Sequence, residues 1–173
     1  MMTTLKIDGK LLDEVRRDLA RPHFFAHERV GFLLAGVAGL PDDDLLLIVR
    51  SYQPVADEDY EAAFGVGARI GSNAMRKAVQ AAYRPPSALL HVHTHGGTGR
   101  PRFSSVDLES ANEFVPGFFQ SCPKMPHGLL VLSDDAATGQ LWLERDGRPR
   151  PIKHFMRVDR PIANQWSAPY ELA

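Results

Sequence analysis

The apolar stretch at residues 30–49 constrains the chain most, because it has the length of a membrane span but is broken by Gly36, Gly39, Pro41 and the acids Asp42, Asp43 and Asp44. A single helix cannot carry those groups across a bilayer. The stretch reads instead as two buried strands, 31–36 and 45–49, joined by a turn. Such a hairpin needs more strands beside it and helices to cover its faces. Residues 4–7 alternate like a strand, and Leu11, Leu12, Val15 and Leu19 then form one apolar helical face that Pro22 ends. A second helix is expected over 72–83, with Ala74, Ala78, Val79 and Ala82 on one side and Pro85-Pro86 as its stop.

Residues 87–95 form a strand running into the glycine-rich loop Gly96-Gly97-Thr98-Gly99-Arg100-Pro101. A third helix is expected over 104–114, broken by Pro116-Gly117, with a loop through Phe118, Phe119 and Cys122 after it. Strands at 128–132, 140–144 and 152–158 complete an α+β chain: a mixed, mostly antiparallel sheet flanked by helices, as a sandwich or open barrel. Its 173 residues suit one domain, 1–158, followed by a tail, 159–173, whose Trp166 and Tyr170 are expected to dock on the body.

Twenty basic and 21 acidic side chains leave a net charge of -1, too little field to make nucleic acid or an anionic membrane the main partner. The single cysteine, Cys122, cannot form an internal disulfide and excludes a multi-cysteine zinc site. With a polar N-terminus that lacks a secretory apolar region, this predicts a cytoplasmic protein.

His91, His93 and His95 alternate along one strand, which puts their side chains on a single face. Asp107, at the start of the next helix, can return a carboxylate to the same place. Two imidazoles and a carboxylate are a common catalytic zinc set that leaves one position open. Taken alone, Ser104-Ser105-Val106-Asp107 reads equally as a helix capping signal, and His-x-His recurs by chance. Glu28, just before the apolar strand, reads alone as a solvated glutamate. Hydrolysis at such a metal also needs a carboxylate base, and the order of the four parts is what suggests a site.

In that order the residues resemble the JAB1/MPN/Mov34 (JAMM) metalloproteases: Glu28 before the strand Gly31-Phe32-Leu33-Leu34-Ala35-Gly36, then His93-Thr94-His95, then Ser104-Ser105-Val106-Asp107. The string Phe103-Ser104-Ser105-Val106-Asp107-Leu108 is similar to that of the branch that cleaves ubiquitin isopeptide bonds. The resemblance implies the MPN, cytidine-deaminase-like fold. It also implies one zinc ion held by His93, His95 and Asp107, with Glu28 as general base and acid and Ser104 as donor to the tetrahedral intermediate. Two departures concern the loop: Gly96 stands where many members have proline, and the eight-residue spacer 96–103 is one longer than is common. His91 stands where many relatives have an aromatic residue and is expected beside the ligands or in the cleft.

In related isopeptidases two loops frame the groove for a ubiquitin-like tail, and the matching stretches are 57–67 and 115–128. Asp57, Glu58, Asp59 and Glu61 are therefore expected to attract a basic tail, and Phe118 and Phe119 to offer apolar contacts. The compact chain is similar to bacterial members found with ubiquitin-like, E1-like and E2-like partners, some in antiviral defence. The expected substrate is thus a ubiquitin-like precursor or its conjugates. The alternatives are a sulfur-carrier-protein peptidase, a non-catalytic MPN scaffold, and a PHP-type phosphoesterase suggested by His91-Val92-His93.

Overall fold

The computed structural model describes residues 2–24, 26–62 and 67–159. Residues 63–66 of the expected 57–67 loop, and residues 160–173 of the expected tail with Trp166 and Tyr170, lie outside them.

The strand Thr3–Asp8 (β1) feeds directly into the helix Gly9–Leu19 (α1). Asp8 fixes that boundary, because its carboxylate accepts from the N–H groups of Lys10 at 2.9 Å and Leu11 at 3.2 Å. The central hairpin is Val30–Gly39 (β2) and Leu45–Pro54 (β3), paired antiparallel with a register shift between Leu34 and Ala35. Both strands outrun the apolar runs that announce them, since ladder hydrogen bonds continue into half-exposed residues. Next come the helix Ser72–Tyr83 (α2), the strand Ala88–Thr94 (β4) and the helix Ser105–Ser121 (α3). The strands His127–Leu132 (β5), Ala137–Trp142 (β6), Arg150–Pro151 (β7) and His154–Val158 (β8) follow.

Among the described residues these strands form one mixed sheet in the order β7-β6-β5-β4-β2-β3-β1-β8. β1 runs parallel to β3 and β8, and β4 parallel to β5, while the other pairings are antiparallel. The strand expected at 152–158 begins at His154, and the short strand β7 precedes it. Ile152 N–H bonds to Gly139 on β6 at 2.9 Å, and Lys153 N–H bonds to Thr3 on β1 at 2.9 Å. Only these two residues separate the strands at opposite ends of the sheet order, so the sheet must curl until its edges approach. Among the described residues no helix is long and apolar enough to cross a membrane.

Alternation along the strands gives the sheet two apolar faces. Leu5, Leu33, Leu47, Leu90, Val92 and Leu130 pack with Val15 and Leu19 of α1. Phe32, Leu34, Leu89 and Leu129 pack with Ala74, Ala78 and Ala82 of α2 and with Ala111 and Val115 of α3. The expected end of α3 at Pro116 is corrected: the helix runs on to Ser121, with Pro116 inside it. Phe118 and Phe119 therefore lie in the core, 1% and 4% exposed, rather than in a substrate loop. An interior proline costs a helix roughly 3 kcal/mol. Burying Val115, Phe118 and Phe119 contributes roughly 1.5–3 kcal/mol each, which outweighs it.

His127 ties this core together. Its Nδ1 accepts from Leu89 N–H at 3.1 Å and its Nε2–H donates to the Cys122 carbonyl at 3.0 Å, so only the neutral ring satisfies both partners. Burial pushes its pKa down to about 4, against the pull of those backbone bonds. An unfolded histidine takes its proton near 6.5. Between that pH and about 4 the unfolded chain binds a proton that folded His127 refuses. Its contribution is therefore intact above the window and is lost as pH falls through it, by up to roughly 3 kcal/mol. Denaturant unfolding at pH 7.5 and 4.5 should show this loss, and His127→Gln should start less stable but lose less on acidification. An unchanged pH dependence in the variant would rule the histidine out as its source.

Candidate metal centre

β4 alternates between the two cores. Leu90 and Val92 face α1, which leaves His91 and His93 on the side of α2 and α3. His93 is 2% exposed, and His91 stacks against Phe114 with ring centroids 4.9 Å apart and meets Phe32 edge-on at 5.5 Å. Burial pushes the His91 pKa down to about 3, helped by His93, so its ring is neutral. His95 lies one residue beyond the strand, where its N–H reaches Leu132 O on β5 at 3.1 Å. The chain then turns at Gly96, Gly97 and Gly99, with φ of 64°, 68° and 86°. Proline, locked near −65°, cannot adopt the Gly96 conformation, so this loop leaves the strand along its own path. It is pinned there by Asp134 N–H to Gly97 O at 2.8 Å and Gly99 N–H to Asp135 at 2.6 Å.

α3 brings in the carboxylate. Ser104 caps the helix, its hydroxyl accepting from Asp107 N–H at 3.1 Å while Asp107 Oδ2 accepts from Ser104 N–H at 2.7 Å. The cap aims Asp107 at the histidines: Oδ1 is 3.1 Å from His93 Nε2 and Oδ2 is 3.4 Å from His95 Nε2. The two Nε2 atoms are themselves 3.1 Å apart. Donors of a tetrahedral ion with bonds near 2.05 Å stand about 3.3 Å from one another. The spacings are those of neighbouring metal donors, with His93 and His95 facing different oxygens of Asp107. Glu28 joins the group, since one donor atom each from Glu28, His93 and His95 lies within 4.8 Å of the others. Burial raises the Asp107 carboxyl, but the hydrogen bond and charge of His93 and the Ser104 bonds outweigh it and hold it below the usual carboxylate range. His93 Nδ1 is buried and has no hydrogen-bond partner among the described residues, so packing rather than an outer hydrogen bond to them sets that ring.

Glu28 belongs to no helix or strand and is held through its neighbours. The Gly67 carbonyl accepts from His27 N–H at 2.9 Å and Glu28 N–H at 3.0 Å. Arg29, 3% exposed, donates to Arg21 O at 2.9 Å, Pro22 O at 3.1 Å and Asp57 Oδ1 at 2.7 Å. Burial works against its charge, and the Asp57 bond outweighs that, leaving the guanidinium pKa raised. Tyr60 Oη accepts from Val30 N–H at 2.9 Å and donates to Val30 O at 3.2 Å. The result is a cavity of about 710 Å³ with Glu28, His93, His95, Ser104 and Asp107 on its wall and Val30, Met75, His91, Phe114 and Leu129 forming its apolar part.

The five residues expected to do chemistry thus meet in one cavity. Those expected to bind substrate do not. Asp57 holds Arg29, and Asp59 is buried on Lys77 at 2.6 Å and Asn73 at 2.5 Å. Arg29 lowers the Asp57 carboxyl, and Lys77 with Asn73 lowers that of Asp59. Exposed Glu58 does not line the cavity, whereas Glu61 does, paired with Arg69 at 3.0 Å. Arg29 and Gly67 were missed as supports, because their partners are distant in sequence.

No protein-family model matches the chain, and no curated protein matches it. Among solved structures it is similar to the Trichoplax adhaerens STIL N-terminal domain, at a TM-score of 0.42 and 13% identity. That match covers 80% of this chain, which spans 41% of the other.

Metal binding tests the centre directly. Isothermal titration should show one divalent ion per chain, with affinity lost in His95→Ala and Asp107→Ala. Saturation at a hundred times Kd should raise folding stability by roughly 2.7 kcal/mol. Equal binding by both variants would place the metal elsewhere.

Proposed function

We propose that the chain is a zinc-dependent (iso)peptidase of the JAMM type, on an MPN fold, acting after the C-terminus of a ubiquitin-like protein. The observation that carries the reading is the 3.1–3.4 Å spacing of His93 and His95 from each other and from the two oxygens of Asp107, with Glu28 beside them. A zinc ion held by those three residues supplies a Lewis acid that polarises a carbonyl and acidifies water.

The rest is the work of the side chains. Glu28, in the same cavity as the histidines, takes the proton of the attacking water and returns it to the leaving amine. Ser104 Oγ accepts from Asp107 N–H, so its own proton can turn to the cavity and meet the developing oxyanion. Asp107 stays charged because its pKa is held low, which keeps the donor set anionic. Neutral His91 and Phe114 form an apolar wall that keeps water away from this proton path.

Glu61, Arg69 and Ile70 line the cavity on a strip where Tyr60 bridges Ile70 and Glu61 N–H bonds to Arg69 O at 2.9 Å. An extended C-terminal tail entering along this strip would bring its last residues to His93, His95 and Glu28, and E1-like and E2-like proteins are the partners such a pathway supplies. Sulfur-carrier fusions are the control substrate.

Purified protein with zinc should cleave a ubiquitin-like fusion, and chelation should abolish the cleavage. Glu28→Gln should cut kcat by roughly 10²–10⁴-fold while zinc still binds. Cleavage indifferent to both treatments would falsify the mechanism, and cleavage of the sulfur-carrier fusion alone would move the substrate to metabolism.

A further inference from the structure

We propose that Gly67 is a positioning residue for Glu28: the missing side chain at residue 67 is the berth in which the Glu28 carboxylate lies. This rests on reading Glu28 as the proton carrier.

Gly67 touches Glu28 in two ways. Its carbonyl accepts the N–H groups of His27 and Glu28, at 2.9 and 3.0 Å, which fixes the backbone that carries the carboxylate. A Cβ at residue 67 would stand 2.5 Å from Glu28 Oε2 and 3.0 Å from its Cδ. Real Cβ atoms do not approach neighbours so closely, so one of the two groups would have to leave.

Backbone conformation does not explain the glycine. The described glycines with left-handed φ are Gly96, Gly97 and Gly99, and Gly67 is not one of them. Alanine can therefore adopt its φ without strain. Space is the remaining demand, and the contrast with Gly128 shows its kind. A Cβ at Gly128 would run into the Gln140 backbone carbonyl across the β5–β6 ladder, which cannot yield. At Gly67 the obstacle is the far end of a flexible side chain, which can yield. Alanine would thus cost little stability and would displace the carboxylate from the histidine pair with which it forms the donor cluster. His93, His95 and Asp107 are held by β4 and the α3 cap, so the displacement leaves them in place.

The test uses the full chain loaded with Co(II) and labelled with ¹³C at the glutamate side-chain carboxyls. The Glu28 signal, identified by its loss in Glu28→Gln, should change its paramagnetic shift in Gly67→Ala while Co(II) affinity stays at the wild-type value. On a ubiquitin-like fusion with zinc, kcat should fall by roughly 10²-fold with KM unchanged, the loss expected for a misplacement of about 1 Å. Glu28→Asp draws the carboxylate back from residue 67. The double variant should therefore lose no more than Glu28→Asp alone, a non-additivity that marks direct contact. An unmoved Glu28 signal, or losses that multiply, would overturn the proposal. If wild type cleaves nothing, the hydrolase reading fails, and the Glu28 signal still decides the berth. If Gly67→Ala destabilises the fold, the same change in Glu28→Ala decides: relief supports the berth, and equal destabilisation overturns it.

Discussion

The hydrogen bonds along both edges of β4 set the geometry of the centre. β4 pairs antiparallel with β2 and parallel with β5, so its residues cannot slide without breaking two ladders. Leu90 and Val92 are wedged into the α1-side core, and that anchoring decides which way His91 and His93 point. A slip of one residue would bury imidazoles among leucines and expose the leucines, a cost no short strand can bear. The same register sets Val30 opposite His93, which brings Glu28, two residues upstream, level with the histidines. On the other edge, Leu132 O collects the His95 N–H just after β4 ends.

Asp107 shows how one carboxylate can serve a helix cap and still face two imidazoles. A carboxylate has enough lone pairs to accept from Ser104 N–H and still face two imidazole nitrogens. The two roles reinforce each other: helix-end amides stabilise the anion, and a fixed anion is a better preorganised donor. Removing the cap alone would cost about 1 kcal/mol of helix stability, a small sum beside the loss of a ligand. The capping signal and the carboxylate that faces the histidines, alternatives at the level of sequence, are both present in the folded chain.

What was legible in the sequence follows from this. Period-two histidines between leucines announce one face of a strand, and Ser104-x-x-Asp107 announces a helix start, because both signals are local. Local signals failed where the deciding partner is remote. The acids Asp57 and Asp59 look like a solvated cluster until Arg29 and Lys77 close on them from other elements. Pro116 looks like a stop because the penalty it carries is local, whereas the burial of Phe118 and Phe119 that outweighs it comes from sheet residues far along the chain. The break at Ile152 and Lys153 has the same origin, since curling of the whole sheet sends β7 and β8 to opposite edges.

Part of the remaining polar strain sits at the centre. The Nδ1 atoms of His91 and His93 are both buried and have no hydrogen-bond partner among the described residues, at roughly 1–3 kcal/mol for each such group. Two phenylalanines in place of these histidines would fill the same wall without that penalty, and His91 already packs as an aromatic between Phe32 and Phe114. Stability alone therefore gives no reason for imidazoles on this face. His93 has one in its Nε2, which meets Asp107 and His95 at ligand spacing. His91 has none among its contacts with the described residues, and it lines the cavity with its Nδ1 buried. An imidazole kept here at a cost in stability is the pattern expected of a side chain held for something other than packing.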